Sequence, residues 1–129
     1  MRQSLVGLTA GIALLASAAT AAAPFAYVPN CNSNNVSIID VATNNVVSTI
    51  ALPGALCPMG VAANTANTKV YFANKDNNTV SVLDIATGVA SAAVAAPGVS
   101  LTYGIAVNPA GTRAYVTGFG SGSLAVFNL

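Results

Sequence analysis

Tyr27, Tyr71 and Tyr115 stand 44 residues apart along the chain, and so do Asp40, Asp84 and Asn128. Gly60 and Gly104, Pro53 and Pro97, Gly54 and Gly98, and Thr43 and Thr87 keep the same offset, with no insertion or deletion. Self-similarity at a fixed period of roughly 20–50 residues marks an array of supersecondary units that bury their apolar faces only by stacking. The repeat therefore constrains the fold more tightly than any single motif does.

Within one period the local signals are all strand and turn. In the central unit, residues 60–63 form a short apolar run closed by the polar turn Asn64-Thr65-Ala66-Asn67. Residues 69–73 form a second run, closed by Asn74-Lys75-Asp76-Asn77-Asn78, and residues 79–85 a third, closed by Ala86-Thr87-Gly88. Residues 89–95 make a fourth and weaker run that ends at Pro97-Gly98. Four short strands within about 40–45 residues, each closed by Asn, Asp, Gly or Pro, describe one propeller blade. No window carries an apolar stripe at the 3.6-residue helical period. The expected fold class is all-β, built of propeller-type blades that are four-stranded antiparallel meanders, in an incomplete ring.

The third strand of each unit supports stacking. Val36-Ser37-Ile38-Ile39-Asp40-Val41, Val80-Ser81-Val82-Leu83-Asp84-Ile85 and Leu124-Ala125-Val126-Phe127-Asn128-Leu129 are nearly continuous apolar runs. A sheet with one wet face would alternate apolar and polar residues, whereas blades packed face against face cover both sides.

On these residues the chain resembles the YVTN repeats of bacterial and archaeal envelope β-propellers. Tyr115-Val116-Thr117 matches three of the four signature residues, with Gly118 where Asn is usual. Tyr71-Phe72-Ala73-Asn74 and Tyr27-Val28-Pro29-Asn30 are divergent copies. The phrases running from Gly104 to Arg113 and from Asn35 to Asn44 match more closely. The resemblance spans essentially residues 24–129. It implies the fold and an envelope setting, and chemistry only weakly, since related propellers include lactonases, haem-binding domains and binding scaffolds.

The register of the repeat divides residues 23–129 into a partial blade over 24–57, a full blade over 58–101 and a partial blade over 102–129. Counting strands gives three, four and three. Closed propellers have about 4–8 blades, and the family it resembles usually has seven. An open array exposes sheet edges that pair with other chains. The favoured expectation is a segment of a longer repeat protein; self-assembly into a ring and docking onto another repeat protein are the alternatives.

Residues 1–22 read as an address. Arg2 supplies a positive start, residues 5–19 are uncharged and rich in Leu, Ala, Val and Gly, and Ala19-Thr20-Ala21 offers small-residue cleavage sites. This is the pattern of a secretory signal peptide, with cleavage expected after Ala21 or Ala22 because Pro24 disfavours a cut after Ala23. No membrane span is expected after cleavage, and the localisation expected is periplasmic or secreted. Beyond the signal, Lys69, Lys75 and Arg113 balance Asp40, Asp76 and Asp84. A neutral chain has no long-range field to attract nucleic acid or anionic lipid, so no nucleic-acid partner is expected.

The catalytic inventory is short. The chain contains no His and no Glu, which leaves three Asp as its side-chain carboxylates. General acid–base and nucleophilic catalysis draw on His or on carboxylate pairs, and a haem domain normally needs an axial His. The expectation is a non-enzyme with no cofactor and no metal. Asp40 and Asp84, with Asn128 in the third copy, recur at one blade position; they are read as acceptors for backbone N–H groups of the following turn. Asp76 beside Lys75 reads as a solvated turn in preference to a weak cation site. The Asn-rich loops at 30–35 and 74–78 are explained by the left-handed backbone that Asn tolerates. Gly118-Phe119-Gly120-Ser121-Gly122 lacks the Lys and following helix of a phosphate loop.

Two cysteines in an exported chain point to a disulfide. In an antiparallel meander, the loop between strands two and three emerges on the same edge as the link to the next blade. Cys31 lies in the first kind of loop and Cys57 in the second, so a Cys31–Cys57 bridge worth about 3 kcal/mol is expected. The same edge carries Met59 and Tyr103 at equivalent positions and Phe119 at a loop tip, and these are the candidate partner-binding residues. The function expected is a non-catalytic exported repeat module with a binding or scaffold role. Its partner would be a protein or glycan of the envelope, or further propeller blades. The alternative is a remnant of a lactonase-like catalytic propeller whose active residues lie in other blades.

Overall fold

A computed structural model describes residues 24–129; the signal-peptide expectation falls outside them. The chain forms three antiparallel sheets in sequence order. The first holds β1 (Phe25–Asn30), β2 (Asn35–Asp40) and β3 (Asn45–Ala51), in that spatial order. The second holds β4 (Pro58–Ala63), β5 (Lys69–Asn74) and β6 (Thr79–Asp84), with the short strands β7 (Val89–Ala90) and β8 (Val94–Ala95) both paired to β6. The third holds β9 (Thr102–Val107), β10 (Arg113–Gly118) and β11 (Ser123–Asn128). This is a propeller architecture whose ring is not closed.

The 44-residue period reappears in the backbone. The left-handed positions Asn34, Asn78 and Gly122 are equivalent, as are Asn44 with Gly88 and Asn67 with Gly111. Asn and Gly enter that region at little cost. Cys57 and Leu101 also adopt it, with φ of 54° and 51°, where the β-carbon of an ordinary residue costs about 1–2 kcal/mol. A side-chain clamp offsets that cost: the Cys57 N–H donates to Asn34 Oδ1 at 2.8 Å, and the Leu101 N–H to Asn78 Oδ1 at 2.6 Å. The clamp pins each inter-blade link to the blade that precedes it.

The sheets stack through two apolar interfaces. Between the first and second sheets, Val36, Leu52, Ala55, Val70, Phe72 and Leu83 form a buried cluster, flanked by Tyr27, Ile38 and Ile50. Between the second and third, Tyr71, Ala73, Val80 and Val116 are buried, with Val82, Ile105, Val107 and Phe127 against them. Strand β5 thus sends Val70 and Phe72 to one interface and Tyr71 and Ala73 to the other, which is why its sequence is apolar without alternation. Phe72 is fully buried, and withdrawing such a side chain from water contributes about 2–3 kcal/mol.

Strands β4 and β9 pack against each other along the side where successive blades come closest. A β-carbon on Gly60 would fall on the carbonyl oxygen of Tyr103, whereas at the equivalent Gly104 it would meet only the Thr117 hydroxyl, at 3.0 Å. Thr102 Oγ donates to the Asn74 carbonyl at 2.6 Å, and Thr65 Oγ to the Pro109 carbonyl at 2.7 Å. These bonds stitch the second and third blades together at both ends of the strands.

Candidate functional site

The loops on one edge of the array converge around the inter-blade links. Cys31 and Cys57 form a disulfide. Cys57 lies between two blades: its N–H reaches Asn34 of the first, and its carbonyl accepts the Lys75 N–H of the second at 2.9 Å. The bridge therefore fastens the turn after β1 to the hinge that leads into β4. A short 3-10 turn over Cys31–Ser33 presents Cys31 there. Among the described residues no free cysteine remains.

One blade further on, Leu101 repeats the role of Cys57, and its carbonyl accepts the Phe119 N–H at 2.9 Å. That bond holds the glycine-rich loop against the link and places Phe119 beside Tyr103, with ring centroids 6.2 Å apart and planes tilted by 43°. Tilted aromatic pairs at this spacing attract each other weakly. Phe119 is 78% exposed and Tyr103 50%. Met59 stands at the position equivalent to Tyr103 on β4 and is 36% exposed. The structure brings Tyr103 and Phe119 together and leaves Met59 on the neighbouring blade. Leu56 and Leu101 are also exposed at the links; the sequence places Leu101 in the entry loop Leu101-Thr102-Tyr103 on this edge without singling it out as a partner-binding residue, and gives no signal for Leu56.

Asp40 and Asp84 lie at the opposite edge. Asp40 Oδ1 accepts the Ala42 N–H at 2.8 Å and the Thr43 N–H at 3.4 Å. Asp84 Oδ1 accepts both the N–H and the hydroxyl of Thr87 at 3.0 Å. These bonds, chiefly the Thr87 N–H and then its hydroxyl, hold the Asp84 carboxyl below its ordinary range, with a smaller contribution from Lys69. Lys69 is the cross-strand partner of Asp84. A carboxylate with a lowered native pKa stabilises the fold above the unfolded value and loses that effect as pH falls. Asp84→Ala is therefore expected to lower the thermal midpoint at neutral pH and to approach the wild type as pH drops below the ordinary aspartate range. Parallel thermal melts from neutral to acid pH check this.

Asn128 pairs with Arg113 across β10 and β11. Asp76 makes an exposed ion pair with Lys75 at 3.8 Å. The carboxylates do not converge, and among the described residues no group of three His, Cys, Asp or Glu is placed to hold a metal ion. Among the same residues, no helix is long and apolar enough to cross a membrane.

A cleft of about 230 Å³ opens between the second and third blades, where Tyr71, Val80, Val82 and Val94 face Phe127 and Leu129. In the preceding interface the corresponding place beside Leu83 is taken by Ala90 of β7, a fourth-strand residue. The cleft thus follows from the three-stranded third sheet.

No protein-family profile matches the chain, and no curated protein matches it in sequence. Solved structures do. Hydrazine synthase of Kuenenia stuttgartiensis superposes with a TM-score of 0.73 at 23% identity, over 81% of this chain and 29% of that one. The dihydro-heme d1 dehydrogenase NirN, solved in complex with DHE, gives 0.61 at 23% identity, over 81% of this chain and 21% of its own. A functionally unknown protein from Desulfotomaculum acetoxidans gives 0.62 at 20% identity, over 81% and 37%. The chain spans well under half the length of each. At such identities the likeness establishes the fold alone, and the fold is that of β-propeller blades.

Proposed function

We propose that the chain is an exported, non-catalytic β-propeller repeat module of the YVTN type that binds a protein or glycan of the cell envelope through its disulfide-bearing loop edge. The observation that carries this is the exposed Tyr103–Phe119 pair, held outward by the Phe119 N–H to Leu101 carbonyl bond. Two aromatic faces on a neutral surface suit the apolar face of a sugar ring or a peptide side chain, and exposed aromatics carry a large share of binding energy at interfaces. The setting is supported by the disulfide, which persists in oxidising compartments such as the periplasm or extracellular space, and by the signal-like residues 1–22.

The test is retention on arrays of envelope polysaccharides and peptides. The Tyr103→Ala/Phe119→Ala double variant is expected to bind the retained ligands about tenfold or more weakly, in line with hot-spot losses above 1 kcal/mol. Its thermal midpoint should stay close to the wild-type value because both rings are exposed. Equal retention of the double variant and the wild type on every ligand would sink the assignment of this edge.

A further inference from the structure

The two inter-blade links share a backbone but present unlike surfaces on the loop edge. The Phe119 and Gly120 N–H groups donate to the Leu101 and Ser100 carbonyls at 2.9 and 3.0 Å. One period earlier, the Lys75 and Asp76 N–H groups donate to the Cys57 and Leu56 carbonyls at 2.9 and 3.2 Å. The first link therefore carries an ion pair where the second carries the aromatic pair. In the residues that build this edge, 30–35, 52–59, 74–79, 97–103 and 118–123, Lys75 and Asp76 are the only charged side chains. They neutralise each other at 3.8 Å, which leaves no unpaired cation on the edge to meet an anionic ligand.

Bonds in series hold the aromatic pair in place. Asn78 Oδ1 accepts the Leu101 N–H, the Leu101 carbonyl accepts the Phe119 N–H, and the Phe119 ring meets Tyr103. Two serines add straps: Ser121 Oγ accepts the Ser100 N–H at 3.0 Å, and Ser123 Oγ donates to the Gly98 carbonyl at 2.8 Å. A β-carbon on Gly120 would stand 2.7 Å from Ser100 Oγ, so the loop lies directly on the link. A ligand that meets these rings does not have to order them first, which removes part of the entropic cost of binding.

We infer that the ligand of this edge is an uncharged polysaccharide, laid across Phe119 and Tyr103 with a different sugar unit on each ring; the inference rests on the loop-edge reading above. Area decides against a protein partner. A fully covered aromatic side chain buries about 150–250 Å², and both rings are already partly covered, so the pair offers less than about 500 Å². A stable protein interface takes about 800 Å² from each partner. The exposed Leu56 and Met59 that would have to extend the patch belong to the link that carries the ion pair. A few sugar units match the smaller area, and the C–H groups on a sugar face meet the negative face of an aromatic ring. Neutrality selects among glycans, because with Lys75 held by Asp76 a carboxylated or sulfated chain finds no partner here. Asn78 is a positioning residue, acting on the rings through Leu101.

The test is affinity electrophoresis of the exported protein in gels containing laminarin, dextran, galactomannan or hydroxyethyl cellulose, with polygalacturonate and heparin as charged comparisons. At least one neutral polymer is expected to retard the wild type, equally at low and high salt. Tyr103→Ala/Phe119→Ala should lose about tenfold or more in affinity for it. Asn78→Gly keeps the left-handed backbone, as Gly122 does at the equivalent position, but removes the acceptor. It should weaken binding severalfold and abolish nuclear Overhauser cross-peaks between the Tyr103 and Phe119 rings. Asn78→Asp, which retains the acceptor, should restore both. Retardation by the charged polymers alone, or by no polymer, overturns the inference. Ring-dependent retention on peptides without retardation by any neutral polymer also overturns it, while leaving the edge as a binding site. Retardation by a neutral polymer that the double variant keeps overturns both readings. An Asn78→Gly variant that keeps the affinity and the cross-peaks overturns the role given to Asn78.

Discussion

Replacing Gly60 by valine is expected to destabilise the protein by about 4 kcal/mol, at the upper end of what overpacking costs. At this point β4 and β9 touch backbone to backbone, and any β-carbon on residue 60 lands on the Tyr103 carbonyl oxygen. A crowded side chain escapes by changing rotamer, but a carbonyl moves only with its strand. Relief therefore requires the second and third blades to separate where Thr102 also bonds to Asn74. For a domain of this size the loss corresponds to a fall of about 20 °C in thermal midpoint. Gly104→Ala is the control. Its nearest neighbour is the Thr117 hydroxyl, which can rotate, so a shift of a few degrees is expected. Thermal denaturation of the two variants, followed by circular dichroism, gives the comparison.

The second large effect is loss of the disulfide. Its two cysteines are separated by 26 residues, a loop whose closure in the unfolded chain is worth about 3.5 kcal/mol on the chain-entropy account. That segment contains β2 and β3 and the whole link into β4. The double variant Cys31→Ala/Cys57→Ala is expected to lower stability by about that amount. Urea unfolding of oxidised wild type, reduced wild type and the double variant checks it, with the last two expected to coincide. The first sheet should suffer most, because without the bridge its tie to the second is the Val36–Phe72 cluster and the Asn34 clamp.

Much of this was legible in the sequence because the repeat carries its own alignment. The division into three sheets and the places of the turns follow from residues recurring at one offset. The third strand, expected to be covered on both faces in every unit, is so covered only in the second sheet, and Leu124 and Val126 of β11 are exposed. The cysteine pairing followed from topology, since antiparallel order dictates which loops share an edge. What escaped needed packing or hydrogen-bond geometry. Cys57 and Leu101 take left-handed backbone, a conformation that sequence signals only through Gly or Asn. The clue was the equal spacing from Asn34 to Cys57 and from Asn78 to Leu101, which are the acceptor and donor of the same clamp.

The fourth strand of the second blade shows a different limit. It reads as one weak run but splits into β7 and β8, because the Ala93 N–H turns to the Pro53 carbonyl of the preceding link at 3.1 Å. Its counterpart β3, richer in β-branched Val, Thr and Ile, stays continuous and fits the pleated surface better than alanine does. The candidate site divides similarly. Met59, Tyr103 and Phe119 were identifiable as edge residues, but the meeting of Tyr103 with Phe119 depends on the bond that folds the glycine-rich loop onto Leu101.

The central claim is that the sheets stack as successive blades through the two apolar interfaces. Nuclear Overhauser contacts between side chains test it most directly. The fold predicts cross-peaks from the Phe72 ring to the methyl groups of Val36 and Leu52, and from the Tyr71 ring to those of Val116. Contacts confined within each sheet, with Phe72 and Tyr71 showing none across the interfaces, would contradict it.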